Sequence, residues 1–225
     1  MVGAVHRDPR GREKLLALLR RERPSVVSVE ISPYGRVFRE RYAAVLRRIL
    51  RENLLRIHQE ERRPWKEILS HAAIQGIFLL LKGPYEWQAA RSYVLETGGE
   101  LEDVDLSRVS EEKLSHLPSI ISRENLSTLL RLSFPSLAEQ VKDQYRRARF
   151  LYSHPAAVWL QDRDSEERDS AMAGKIRRLL CRAEGKKVAH IGGWEHLLDL
   201  SGRLSLYRRL KDLHPRRLIL EAGEG

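Results

Sequence analysis

Two short motifs put a histidine three residues after a glycine, Gly3-Ala4-Val5-His6 and Gly193-Trp194-Glu195-His196. Each adjoins a run of residues suited to a β-strand, and a third such run, Val26-Val27-Ser28-Val29-Glu30-Ile31, carries a carboxylate near its end. Two imidazoles and a carboxylate suit two kinds of chemistry. They can hold a divalent cation with open coordination positions, or they can activate water as general bases beside an orienting acid. Gly3 and Gly193 let the chain turn sharply and let another backbone or a ligand come close. A fourth element is Glu167-Arg168-Asp169, followed by Met172. Acidic residues suit the first turn of a helix, where they complement its dipole, and an arginine does not. Arg168 is therefore a candidate for holding a developing oxyanion. A lone histidine at a strand end is ordinarily a hydrogen-bonding residue. The same arrangement occurring twice, with Glu30 between in sequence, is what points to a site.

These residues converge only if the strands beneath them are parallel. Val2 to Val5 reads as a short strand, Arg12 to Arg23 as an amphipathic helix with Leu15, Leu16, Leu18 and Leu19 inward, and Val26 to Ile31 as a second strand. Strand, helix and strand at this length predict a βαβ unit and a parallel pair. Helices are predicted over Gly35–Glu61, Trp65–Lys82 and Tyr85–Thr97, the last ended by Gly98-Gly99. Leu101 to Leu106 is a candidate strand. Helical segments follow at Ser110–Leu117, Glu124–Leu132, Ser136–Ser153 and Asp164–Ala183. Lys186 to Ile191 is a strand pattern, Leu204–Leu213 is helical, and Arg217–Leu220 is expected to close the sheet as a last strand. Ligand sites in parallel sheets gather beyond the C-terminal strand ends. The expected fold is α/β, a central mixed but mostly parallel sheet flanked by helices. It forms a single domain over 1–225 with a helical insert over about 35–98.

The chain has 225 residues, 42% of them apolar, which is enough for a core and too much for disorder. One cysteine, Cys181, excludes an internal disulfide and a cysteine-based zinc site. The longest apolar stretch, Ala72 to Leu81, contains Gln75 and Gly76 and is far shorter than the roughly 18 residues of a membrane span. With no signal-peptide pattern at the start, a cytoplasmic protein is expected. Lys and Arg total 41 against 31 Asp and Glu, a net charge of +10. The basic residues are spread along helices beside acidic ones, as in Arg47-Arg48-Arg51 with Glu52, so they read as solvated helix faces. Nucleic acid is disfavoured as a partner despite the basic balance.

The order of these motifs resembles the TraB/PrgY family, within the superfamily of Tiki-type metalloproteases, GumN-like proteins, erythromycin esterases and ChaN-type haem-binding proteins. The resemblance rests on Gly3-Ala4-Val5-His6, Pro24-Ser25-Val26-Val27-Ser28-Val29-Glu30, Glu167-Arg168-Asp169 with Met172, and Val188 to His196. A weaker block is Pro84-Tyr85-Glu86, Gly98 and Val104-Asp105. Ser32 stands where many members carry an acidic residue, Leu106 follows Asp105 in place of an arginine, and no membrane helix is present. The resemblance implies an erythromycin-esterase/ChaN-like fold and a hydrolase of peptide or ester bonds. His6, Glu30 and His196 would bind Mn²⁺, Co²⁺ or Zn²⁺, or activate water together. Arg168 would stabilise the oxyanion, oriented by Asp169 or Glu167, with Glu86, Asp105, Gly3 and Gly193 in support. The alternative is a non-catalytic protein that binds haem, an anionic ligand or a signalling peptide. A peptide or small-molecule substrate and a homo-oligomeric state complete the expectation.

Overall fold

The computed structural model describes residues 1–154, 163–199 and 204–220. In chain order its elements are β1 (Val2–Ala4), α1 (Gly11–Glu22), β2 (Val26–Val29), α2 (Pro33–Glu61), α3 (Trp65–Ser70), α4 (Ala72–Lys82), α5 (Tyr85–Thr97), β3 (Glu100–Asp103), α6 (Ser107–Ser115), α7 (Leu117–Ile120), α8 (Arg123–Arg131), α9 (Leu137–Ser153), α10 (Arg163–Arg182), β4 (Val188–Gly193), α11 (Leu206–Arg209) and β5 (Leu218–Ile219). The chain forms two compact units. One contains residues 1–33, 85–106 and 141–225, and the other residues 34–84 and 107–140.

The first unit holds the sheet, whose strand order is β3-β2-β4-β1-β5. The sheet is parallel-stranded, as the mostly parallel sheet expected from the sequence requires, and every pairing among the described strands is parallel. The first two strands are not neighbours. β4 lies between them, pairing Val2 with Ile191 on one side and Val29 with Ile191 on the other. One face of the sheet presents Val2, Val27, Val29 and Ile191 to Leu15 and Leu19 of α1 and to Ala89, Ala90 and Tyr93 of α5. Leu15 and Leu19 are one helical turn apart, so one face of α1 is buried along its length. On the other face, Val26 and Val188 pack on Leu179 of α10 and on Ala183 just after it. Side chains alternate along a strand, which puts Ser28 and His190 on this α10 side as well.

The second unit is helical, built around Leu50, Leu54, Ile57, Ile68, Ile74, Leu81 and Leu126. It differs from the single insert predicted over about 35–98. Residues 85–106 return to the sheet, because α5 buries Ala89, Ala90 and Tyr93 there and β3 pairs with β2. The long helix predicted over Trp65–Lys82 breaks at His71. That residue has an extended backbone, ψ 126°, and its ring nitrogen Nε2 lies 3.0 Å from the Leu132 carbonyl. No described helix is long and apolar enough to cross a membrane.

Candidate active site at the C-terminal sheet rim

Parallel strands in this register end together, so the residues just past β1, β2, β3 and β4 meet on one rim. These are His6, Glu30, Asp105 and His196. The α10 residues Arg168 and Asp169 join them, and so does Glu86 of α5. All belong to the sheet unit.

Glu30 is the hub, with its side chain 7% exposed. Its Oε1 accepts from Arg168 Nη2 at 2.8 Å and lies 3.0 Å from His196 Nε2. Its Oε2 accepts from the Gly193 amide at 2.6 Å. Desolvation works to raise its pKa, but the charges of His196 and Arg168 outweigh it and hold the carboxyl well below the usual range. Arg168 donates from Nε and Nη2 to the two oxygens of Asp105, at 3.0 and 2.8 Å. This two-point contact fixes the guanidinium plane. Asp105 is itself held, since Lys175 Nζ donates to its carbonyl at 2.7 Å. Desolvation opposes the arginine's charge, and the Asp105 and Glu30 carboxylates more than restore it. Asp105 therefore orients Arg168, the role the resemblance implied for Asp169 or Glu167. Asp169 instead bonds His196 Nδ1, and Glu167 is exposed.

The two histidines differ in access. His196 sits in a 3₁₀ turn, Trp194–Leu197, with a side chain only 9% exposed between Asp169 and Glu30. Desolvation disfavours its cation, yet those two carboxylates push its pKa up to about 10. His6 is 56% exposed and has Nδ1 2.7 Å from Oε1 of the buried Glu86. Desolvation again opposes the charge, and the Glu86 bond lifts the pKa to about 9. At neutral pH both rings are donors. Glu86, predicted as a support, thus fixes which nitrogen of His6 faces the site.

The glycines act through space. A β-carbon on Gly193 would stand 2.9 Å from His6 Nε2 and 3.5 Å from Glu30 Oε2. One on Gly192 would stand 2.9 Å from Glu30 Oε2 and 3.0 Å from His190 Nε2. At Gly3 a β-carbon would meet the Trp194 backbone at 3.0 Å, so β1 can lie against the turn that carries His196 only without a side chain.

His190 is the residue that motif reading missed. It is 3% exposed, its Nδ1 lies 3.1 Å from Ser28 Oγ, and burial pushes its pKa down to about 3. Ser28 and His190 are register partners on β2 and β4. The signal available was a single polar residue in each of two otherwise apolar strands.

His6, Glu30 and His196, the predicted metal ligands, are together, but as placed they do not fit a divalent cation. His196 has a carboxylate against each nitrogen, and Glu30 Oε1 already accepts from a guanidinium. Among the described residues no group of three or more His, Cys, Asp or Glu side chains could hold a metal ion. The arrangement suits acid–base chemistry, with one carboxylate acceptor, two imidazolium donors and a fixed arginine around one glycine. Comparison of the chain with family models, curated proteins and solved structures finds no match.

Proposed function

We propose that the protein is a hydrolase acting on a carbonyl ester at this rim, without a step through a metal. The observation that supports this reading is the placing of His6 Nε2 and Glu30 Oε2 on the same side of Gly193, one a donor and the other an acceptor. Glu30 Oε2 accepts one bond from the Gly193 amide and keeps a second lone pair for water. In the proposed cycle that water loses a proton to Glu30 as its oxygen bonds to the substrate carbonyl carbon. The His6 Nε2–H group donates to the oxyanion, then passes its proton to the departing alkoxide. Glu30 returns its proton to His6, so the enzyme ends as it began. Arg168 stabilises the anionic ensemble through Glu30. A carboxylate held so far below its usual range is a weak base. Esters and lactones suit it better than peptides, because an alcohol leaves more readily than an amine.

The test is a panel of aryl esters, lactones and fluorogenic peptides, assayed before and after chelation. His6→Ala and Glu30→Gln should each lower kcat/KM on the responding ester by about 100-fold or more. His6→Ala should also lower Tm, since it leaves the buried Glu86 carboxylate without its imidazolium partner, so activity is compared at a temperature where both proteins are folded. Chelation should have no effect. If no ester, lactone or peptide is turned over, or both variants keep full activity, the reading fails. If turnover requires added Mn²⁺, Co²⁺ or Zn²⁺, the metal-free mechanism fails.

A further inference from the structure

Residues 34–58 of α2 hold seven arginines against two glutamates, a balance of +5 and so half of the chain's net +10. Both glutamates are committed, Glu40 to Arg36 at 3.5 Å and Glu52 to Arg48 at 3.7 Å. Arg41, Arg47, Arg51 and Arg56 have no carboxylate at ion-pair distance among the described residues. The same helix is apolar where it faces outward. Of the twelve large apolar side chains exposed among the described residues, five lie on it: Val37, Tyr42, Val45, Ile49 and Leu55, between 37% and 50% exposed. At 3.6 residues per turn all five fall within about 140° of arc, and Arg41, Arg48 and Arg56 fall in the same arc, with Glu52 the one acid among them. Leu50, Leu54 and Ile57 point away from that arc into the core of the helical unit. Phe38 packs against the exposed patch, its ring 5.0 Å from that of Tyr42, and the Arg41 guanidinium lies 5.9 Å from the Tyr42 ring. Single exposed apolar residues are ordinary, but five on one arc form a surface. From Val37 to Arg56 it is a ridge about 28 Å long.

We propose that this face of α2 docks the protein on an anionic lipid bilayer. The bilayer interface takes both kinds of side chain. Tyr42, Val45 and Ile49 enter the boundary between headgroups and acyl chains, while the arginine stems lie alongside and their guanidiniums stay among the anionic headgroups. Other occupants use only part of this surface. Two copies of an arginine-rich face repel each other. Nucleic acid would engage the arginines through its phosphates and leave the five apolar side chains in water. An acidic protein would need a groove shaped to a convex ridge, whereas a bilayer conforms to one. The surface lies in the helical unit, and the inference does not rest on the proposed hydrolysis.

The full chain should co-sediment with mixed phosphatidylcholine and phosphatidylserine vesicles at least about tenfold more tightly than with phosphatidylcholine alone, and salt should weaken the binding. Arg41→Gln with Arg56→Gln should weaken it about 20-fold, roughly fivefold for each charge. Val45→Gln with Ile49→Gln should weaken it about tenfold or more with little change in Tm, since both side chains are exposed. A polarity-sensitive dye on Ile49→Cys, in a Cys181→Ser background, should brighten and shift to the blue with the anionic vesicles. The same dye on Leu95→Cys, which is 75% exposed on α5, should not respond. Should the glutamine variants fail to fold, the lipid preference and the two dye positions decide alone. No binding, or equal binding to the two kinds of vesicle, would overturn the inference. So would an unresponsive dye at Ile49, which would mean adhesion by charge alone. A dimer, or a complex with polyglutamate or duplex DNA, formed through this face in place of vesicle binding would overturn it as well.

Discussion

Gly193 separates chemistry from stability more sharply than any charged residue of the site. Alanine there puts a methyl group 2.9 Å from His6 Nε2, and the half-exposed His6 ring can swing away to relieve it. Gly193→Ala should therefore cost at least tenfold in kcat/KM with a small change in Tm. Gly192→Ala should lower both activity and stability, because its methyl group presses on Glu30 Oε2 and on His190, both buried and unable to move aside. Overpacking of this kind costs about 1–3 kcal/mol, visible in urea unfolding. Arg168→Met should be worse than either. It leaves Glu30 and Asp105 buried without their cation, a loss of about 3–5 kcal/mol. The histidines also set an alkaline limit. His196 is raised from 6.5 to about 10 on folding, so its contribution is complete below pH 6.5 and is lost as pH rises through about 10. Tm should fall between pH 7 and pH 10, and His196→Gln should flatten that slope while lowering Tm at pH 7. The types and order of these residues were legible in sequence. Their partners were not, because Asp105 and Asp169 exchange the roles expected of them only once α10 is docked, and no spacing encodes that docking.

At the scale of elements, α10 is what delivers Arg168 and Asp169. Its anchor is Met172, fully buried with Val104, Leu206 and Leu210. Met172→Ala should cost about 2–5 kcal/mol and lower kcat as well, since a looser α10 misplaces the guanidinium. A structural role confined to the core would lower Tm alone. The periodicities of α1 and α5 were readable because each has one buried face and an abrupt stop, and β2 because it is a short β-branched run buried on both faces. Arg23, for instance, closes α1 in the left-handed region at φ 48°, its amide donating to the Leu19 carbonyl. The break at His71 left no such mark, because it depends on a carbonyl 61 residues away. The non-adjacency of β1 and β2 was hidden for a similar reason. A strand, a helix and a strand predict two parallel strands, and nothing local says that a third will enter between them.

For the whole molecule, each of the two units has its own apolar core, and each unit is assembled from distant segments. Native-state hydrogen exchange should resolve two cooperative groups of amides, one over 34–84 with 107–140 and one over the strands with α1, α5 and α10. The net charge of +10 does not concentrate at the catalytic rim, where Glu30, Glu86, Asp105 and Asp169 face Arg168 and the two histidines. Elsewhere many arginines are matched across elements, as Arg20 is with Glu96 and Arg177 with Asp212. Acid stability has its own determinant in Asp8. It is buried, and burial favours its neutral form, but bonds from Lys14, Tyr145 and the Arg10 amide hold it below its ordinary 3.8. That stabilisation is present above about pH 4 and is lost as pH falls through the lower folded value. Asp8→Asn should lessen the acid-side fall in Tm, the remainder coming from Glu30.

The place of β4 also bears on how the protein is made. A ribosome releases β1, α1 and β2 early, but their strands have no partner in each other. The central strand that joins them emerges more than 150 residues later. Pairings of such long range form slowly. During synthesis the apolar edges of β1 and β2 stay open to mispairing, a hazard that chaperones commonly cover. A chain stopped before Val188 should therefore aggregate rather than persist as a smaller folded sheet.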